Sequence, residues 1–208
     1  MTAEERLHPG LNLHHTDPHA HAAAVGPLFG FWLFLMSDAI IFALLFATYG
    51  VLLHGTAGGP GPEGVFHIGS IAIQTALLLA SSFTFGMASL SMKYGRGTGK
   101  LFGWLAVTLM LGLGFLGMEL HDFTTMIAAG AGPDRSGFLS AFFALVATHG
   151  LHVLSGSVWL VVMIAQIKVF GLDLRVKTNL MRLGLFWHFL DIIWVGIFSV
   201  VYLHGLIG

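Results

Sequence analysis

The chain has no cysteine and very little charge. Without cysteine it can form no disulfide bond, thiolate metal site, iron–sulfur centre or cysteine nucleophile. Only 9% of its 208 residues are charged, whereas soluble domains carry about 25%. Nine basic and ten acidic residues give a net charge of −1, too small for a nucleic-acid-binding surface. The composition therefore excludes a soluble globular protein, and no nucleic-acid partner is expected.

Hydrophobic residues make up 56% of the chain, and the mean hydropathy is +0.84. Five apolar runs each exceed the roughly 20 residues that a bilayer-spanning helix needs. They are continuous rather than alternating, which indicates helices and not barrel strands. The predicted spans are residues 28–53, 68–92, 101–129, 137–167 and 180–206. The predicted fold class is an all-α membrane protein with five transmembrane helices.

Two regions follow from the positions of these runs. Residues 28–208 are predicted to form a five-helix transmembrane domain. Residues 1–27 are polar and His-rich, lack the apolar core of a signal peptide, and are expected to form a poorly ordered cytoplasmic tail. The tail histidines could bind a divalent metal adventitiously, but a flexible solvated arm is the simpler interpretation.

The basic residues predict the orientation of the helices. If successive helices cross the membrane in opposite directions, one side of the membrane has only Arg135. The other side collects Arg6, Lys93, Arg96, Lys100, Lys168, Arg175, Lys177 and Arg182. Because loops rich in Lys and Arg stay in the cytoplasm, we expect the N-terminus inside and the C-terminus outside.

Several ionisable residues fall within the predicted spans, where a charge costs at least about 2.5 kcal/mol unless it has a partner or a wet cavity. Depth along the helices puts Asp38 near the middle of the membrane, at the level of two histidines of the fourth span. We expect a buried polar cluster of Asp38, His149, His152, His188 and Asp191, with the last two steadying the fifth helix. Glu119 and Asp122 come late in an outward-running helix and are expected near the outer interface.

The intramembrane histidines allow two interpretations. As ligands they would bind haem or copper, and as structural groups they would hydrogen-bond to carboxylates or backbone carbonyls. The closest pair, His149 and His152, shares one helix, and the only His-His pair lies in the polar tail. The structural interpretation is favoured, so no catalytic, cofactor-binding or metal site is predicted. For Asp38 two roles stay open: a proton-uptake or lipid-facing carboxylate, and an interhelical hydrogen bond to the fourth helix.

Packing residues form two further groups. Small residues of the third and fourth helices should allow close helix approach. They are Gly112, Gly114, Gly117, Gly150, Ser155, Gly156 and Ser157. A set of aromatic residues is interpreted as packing toward lipid or a neighbouring subunit. They are Phe142, Phe143, Trp187, Phe189 and Trp194.

Three stretches follow one another along the chain: FWLFLMSD at 31–38, ATHGLHV at 147–153 and WHFLDIIW at 187–194. Together they resemble the signature segments of subunit III of the haem–copper terminal oxidases. The 132–138 connection, the 55–60 run, the His-rich tail and five helices instead of seven are similar to the cytochrome bo-type ubiquinol oxidase branch. In this resemblance Asp38 stands where the family usually has a reactive glutamate, and Glu119 matches the carboxylate of the family's third helix.

The resemblance implies a non-catalytic subunit of a proton-pumping ubiquinol oxidase in the respiratory chain of a bacterial inner membrane. It implies that the haems and copper are in subunit I and that this chain holds no cofactor. It further implies direct contact with subunit I, assembly with subunits II and IV, phospholipid in a V-shaped cleft, and support of proton uptake.

Three alternatives remain at this point. One is subunit III of a cytochrome c oxidase. A second is a di-haem membrane cytochrome that would use His121, His149, His152 and His188. The third is a free-standing proton-coupled transporter, which the odd helix number and the absence of inverted repeats disfavour.

Overall fold

The computed structural model describes residues 18–61, 68–95 and 97–203. Its long helices are α1 Pro18–Leu52, α2 Ile68–Lys93, α3 Thr98–Ala128, α4 Gly137–Phe170 and α5 Leu174–Ile197. A π-helical turn, Phe198–Leu203, continues α5. Five helices of the described chain are long and apolar enough to cross a membrane, and these ranges contain no strand. The predicted all-α class with five transmembrane helices is confirmed.

The first helix begins earlier than the sequence predicts. Residues 18–27, expected to belong to a poorly ordered tail, form the first turns of α1. Four alanines lie between residues 20 and 24, and alanine is the strongest helix former, while proline is well tolerated at a first helical position. The remainder of the predicted tail, residues 1–17, and the last residues of the fifth predicted span lie outside the described residues.

Local capping sets the ends of α4 and α5. The Ser136 side chain accepts a hydrogen bond from the Leu139 backbone N–H at 3.2 Å, the usual role of a serine just before a helix. Gly171 follows α4 with a φ of 73°, a conformation that favours glycine. Asp173 accepts from the Val176 N–H at 2.7 Å and starts α5 at Leu174, six residues before the predicted residue 180.

The helices pack around a central pair formed by α4 and α5. Helix α1 packs against both members of the pair, while α2 packs on α5, α3 packs on α4, and α2 and α3 contact each other extensively. The Phe138 N–H donates to the Gly55 carbonyl at 3.2 Å, which brings the connections before α2 and before α4 to one end of the bundle. The other end, here called the basic end, carries the following cations of the described chain: Lys93, Lys100, Lys168, Arg175, Lys177 and Arg182.

Candidate functional site

Asp38 and His152 connect α1 to α4. Asp38 Oδ2 lies 3.3 Å from His152 Nε2, an electrostatic contact without the alignment of a good hydrogen bond. His152 Nδ1 lies 2.7 Å from the Thr148 carbonyl oxygen on the preceding turn. Asp38 is buried, and His152 is partly exposed on the surface of the bundle. Both ring nitrogens of His152 therefore have a partner within the chain.

His149, also expected beside Asp38, lies among aromatic rings instead. It is fully buried, and its ring centroid is 5.3 Å from Trp194, 5.8 Å from Phe115 and 6.4 Å from Phe42. Neither of its ring nitrogens has a hydrogen-bond partner among the described residues. The reason is geometric, because residues three apart on a helix point about 60° away from each other. Asp38 thus pairs with His152, while His149 points into the core.

Glu119 is buried inside the bundle, against α4. It is 4% exposed, and a Cβ built on Gly150, the neighbour of His149, would come within 2.6 Å of both carboxylate oxygens. Along the helix axis it lies about 9 Å from the middle of α3, on the side of Ala128, so its expected position toward the outer interface stays a prediction. Neither carboxylate oxygen has a hydrogen-bond partner in the described chain.

Asp122 lies one turn closer to the end of α3 and links it to α2. Its Oδ2 accepts from Ser70 Oγ at 2.8 Å and from Gln74 Nε2 at 2.7 Å. Sequence reasoning missed both donors, although a lone glutamine within the apolar 68–92 run was the available signal. Because Gln74 is buried and Asp122 half-buried, this group fastens α2 to α3.

His188 and Asp191 form a separate polar group with Ser82, between α5 and α2. Ser82 Oγ lies 2.7 Å from His188 Nδ1, and the Ser82 hydroxyl also interacts with the Asp191 carboxylate. His188 is exposed and Asp191 half-buried. In the described ranges, no hydrogen bond or ion pair joins this group to Asp38, His149 or His152. The single buried cluster expected from the sequence is therefore two groups, because α4 turns His152 toward α1 whereas α5 turns His188 toward α2.

The tryptophans of α5 are buried, so the expectation that they pack toward lipid or a neighbouring subunit is wrong. The Trp187 indole N–H donates to Ser81 Oγ at 3.1 Å, and the Trp194 indole N–H donates to Thr75 Oγ1 at 3.1 Å. Both hydroxyls belong to α2, and a central helix such as α5 needs large side chains to fill the space between its neighbours. Phe142, Phe143 and Phe189, interpreted in the same way, are buried too.

Only some of the small residues create close approach. Cβ atoms built on Gly112 and Gly156 would lie 3.1 Å and 3.3 Å from the Trp187 ring, so both glycines make room for it. A Cβ on Gly114 would make only an ordinary contact with Leu77, and one on Gly117 would meet nothing within 4 Å. The expectation of close approach holds at Gly112, Gly150 and Gly156.

The arrangement of the histidines does not resemble a metal centre. Within the described residues, no group of three or more His, Asp or Glu side chains could hold a metal ion. Of the four histidines that a di-haem cytochrome would use, His149 is enclosed by rings, while His152 and His188 are held by Asp38 and Ser82. The polar groups instead link pairs of helices: α1 to α4, α2 to α3 and α2 to α5.

The Asp38–His152 contact should be measurable as a coupling energy. Asp38→Ala, His152→Ala and the double variant are expected to show a coupling of about 0.6–1.7 kcal/mol, between the average and the largest value found for interhelical polar contacts in membranes. Unfolding in mixed micelles with increasing SDS would supply the four free energies. Ser37→Ala combined with His152→Ala is the control, because the exposed Ser37 hydroxyl bonds only to the Phe34 carbonyl. Strict additivity of Asp38→Ala and His152→Ala would contradict the contact.

Comparison with known proteins gives the family of the chain. The model of the cytochrome c oxidase subunit III family matches residues 12–206. A cytochrome bo(3) ubiquinol oxidase subunit 3 from Pseudomonas aeruginosa is 50% identical over 191 residues, which cover 92% of this chain and 91% of that protein. A quinol oxidase subunit 3 from Bacillus subtilis is 42% identical over 181 residues, covering 87% and 88%. A cytochrome c oxidase subunit 3 from Bacillus sp. (strain PS3) is 38% identical over 208 residues, covering all of both chains. The chain therefore belongs to the cytochrome c oxidase subunit III family.

Proposed function

We propose that the chain is subunit III of a bo-type ubiquinol oxidase, a component of the complex and not an enzyme by itself. The observation that carries the proposal is the order of similarity among the relatives. The ubiquinol oxidase subunit of Pseudomonas aeruginosa is 50% identical, whereas the cytochrome c oxidase subunit of Bacillus sp. (strain PS3) is 38% identical. The alternative of a cytochrome c oxidase subunit is therefore not favoured.

In this proposal the redox chemistry belongs to other chains. Subunit I would hold the haems and copper, oxidise quinol and reduce O2, with this chain docked on it and subunits II and IV completing the complex. The interhelical contacts of Trp187, Trp194 and Asp122 support a stabilising role, because they make α2, α3 and α5 one unit that a large subunit can dock against.

Proton uptake would involve Asp38. Its carboxylate is buried beneath a partly exposed His152 on the outer surface of the α1–α4 pair. A proton can reach a carboxylate just below the bundle surface from outside the bundle. The same carboxylate can still contact a side chain of the neighbouring helix. The two roles left open by the sequence are thus compatible in one residue.

Phospholipid binding is supported at the basic end. A cavity of about 550 Å³ opens there between α1 and α5, and its lining includes Arg175, Arg182, Asn179 and Asp173. The Arg182 Nε atom is buried and has no hydrogen-bond partner in the described chain. Two guanidinium groups that line one cavity at the basic end suit the phosphate of a lipid headgroup, although Asp173 offsets part of their charge.

The location in the proposal is the inner membrane of a bacterium. The five apolar helices make the chain a multi-pass membrane protein. The basic end would face the cytoplasm by the positive-inside rule, which puts the N-terminus inside and the C-terminus outside.

Purification through a tag on this chain tests the proposal. We expect a large haem-containing subunit to copurify, together with ubiquinol oxidase activity and no oxidation of cytochrome c. A companion subunit with a copper-bearing soluble domain, in a preparation that oxidises cytochrome c, would instead establish the cytochrome c oxidase alternative. A Soret band from the chain alone would favour the di-haem cytochrome, and proton-coupled transport by the chain alone in liposomes would favour the transporter.

A further inference from the structure

The group formed by Ser82, His188 and Asp191 lies on the surface of the bundle at the middle of the membrane. His188 is exposed, and its partner Ser82 stands near the middle of α2, about 21 Å along the helix axis from Ile68 and about 17 Å from Lys93. A histidine side chain is too short to reach the headgroups from that depth. In the isolated chain this imidazole would contact hydrocarbon, where an unsatisfied polar group is costly.

His152 provides the comparison, because it is also partly exposed within the membrane. Its Nε2 lies against Asp38 and its Nδ1 against the Thr148 carbonyl, so both nitrogens have a polar partner within the chain. His188 differs, since among the described residues its only hydrogen bond is the one between Nδ1 and Ser82. The described chain thus gives both nitrogens of His152 a polar partner and leaves the Nε2 of His188 without one.

The hydrogen bond to Ser82 leaves one position of the His188 ring open. Ser82 Oγ lies 2.7 Å from Nδ1, and which of the two atoms donates depends on the histidine tautomer. In either tautomer Nε2 still has a proton to donate or a lone pair that can accept. This open position therefore calls for a polar partner from outside the described chain.

The neighbouring face of α2 is shaped for close approach. Gly86 lies one turn after Ser82 on the same side of the helix. A Cβ built on Gly86 would meet no atom within 4 Å, so the described chain leaves open space in front of this glycine. Small residues four apart on an apolar helix are the usual means by which membrane helices pack backbone to backbone. Ser82 and Gly86 present this pattern outward, beside His188.

We propose that the surface formed by Ser82, Gly86, His188 and Asp191 is the docking site for a transmembrane helix of a neighbouring oxidase subunit. That helix presents a polar side chain at the depth of His188, where it hydrogen-bonds to Nε2. The inference rests on the proposed function, which supplies a membrane-embedded neighbour. It goes further by assigning the face of the bundle and the chemistry of the contact.

His188→Leu distinguishes docking from exposure to lipid, because the two cases predict opposite changes in how firmly the complex retains this chain. If a partner hydrogen-bonds to Nε2, the variant complex should lose this chain about threefold to twentyfold more readily during detergent washing, as expected for one interhelical hydrogen bond. His188→Gln, which keeps a hydrogen-bonding group, should retain the chain better than His188→Leu. If the surface faces lipid, His188→Leu removes a polar group from hydrocarbon, and unchanged or firmer retention would overturn the proposal.

A second measurement avoids any effect of the substitution on folding. Ile192 lies one turn from His188 and is 71% exposed, so a photoreactive residue there should be tolerated. Irradiation of the intact complex in native membranes should give a covalent adduct with another oxidase subunit. Adducts with lipid alone, or with a second copy of this chain, would contradict the docking site. Failure of the tagged wild-type chain to copurify with any oxidase subunit would instead overturn the proposed function.

Discussion

Replacement of Trp194 by alanine is expected to lower the free energy of unfolding by about 3 kcal/mol or more, the usual cost of truncating a buried tryptophan. Trp194 has no exposed surface, and its ring packs edge-on against Phe115 at 4.7 Å and beside His149 at 5.3 Å. Its indole N–H donates to Thr75 on α2. The alanine variant loses the packing around His149 and the contact between α5 and α2 together. Unfolding in SDS-containing mixed micelles, followed by tryptophan fluorescence and circular dichroism, would measure the change.

Trp32→Ala is the matched control for this prediction. Trp32 is 46% exposed on α1 and stacks mainly on Phe29 of its own helix, so the same truncation there should cost well under half as much. Trp194→Phe should fall between the wild type and Trp194→Ala, because it keeps most of the ring volume but lacks the N–H donor. An equal decrease in the free energy of unfolding for Trp32→Ala and Trp194→Ala would show that Trp194 does not organise the core.

The sequence predicts the helices well because span length depends on local composition. A run of more than about 20 apolar residues is long enough to cross the bilayer wherever it occurs, and Ser136 caps α4 by a contact with its own first turn. The start of α1 is less predictable, since Ala-rich residues before position 28 can extend a helix beyond the apolar run. The start of α5, where Asp173 caps the helix, likewise lies several residues before the start of the predicted apolar run.

The polar groups are harder to predict because their positions depend on how the helices face one another. In a membrane both the lipid-facing and the buried sides of a helix are apolar, so nothing in the sequence separates a buried Trp187 from a lipid-facing aromatic residue. Depth alone predicts only that Asp38 lies level with His149 and His152 of α4. The exclusion of His149 from that pair and the position of Glu119 against Gly150 depend on helix rotation, which only the packed bundle defines.

Gly184→Ala is expected to destabilise the seam between α5 and α2 by about 1–3 kcal/mol, the usual cost of overpacking a core. A Cβ at this position would lie 2.9 Å from the Phe85 ring. Phe85 is fully buried, stacked on Trp187 at 6.3 Å and edge-on to His188 at 6.0 Å, so its ring has little room to withdraw. SDS unfolding of the single variant would measure the loss, and Phe85→Leu in the same chain should recover part of it by removing the clash.

Gly117→Ala supplies a control of opposite sign. Gly117 also lies within a transmembrane helix, but a Cβ there would meet no atom within 4 Å. Because alanine favours a helix over glycine by up to about 1 kcal/mol, this variant should be unchanged or slightly more stable. In Gly184→Ala, by contrast, the displaced Phe85 ring should also weaken retention of the chain in the complex, because Phe85 packs against His188. A Gly184→Ala variant as stable as Gly117→Ala would mean that α5 and α2 are not in close contact at this point.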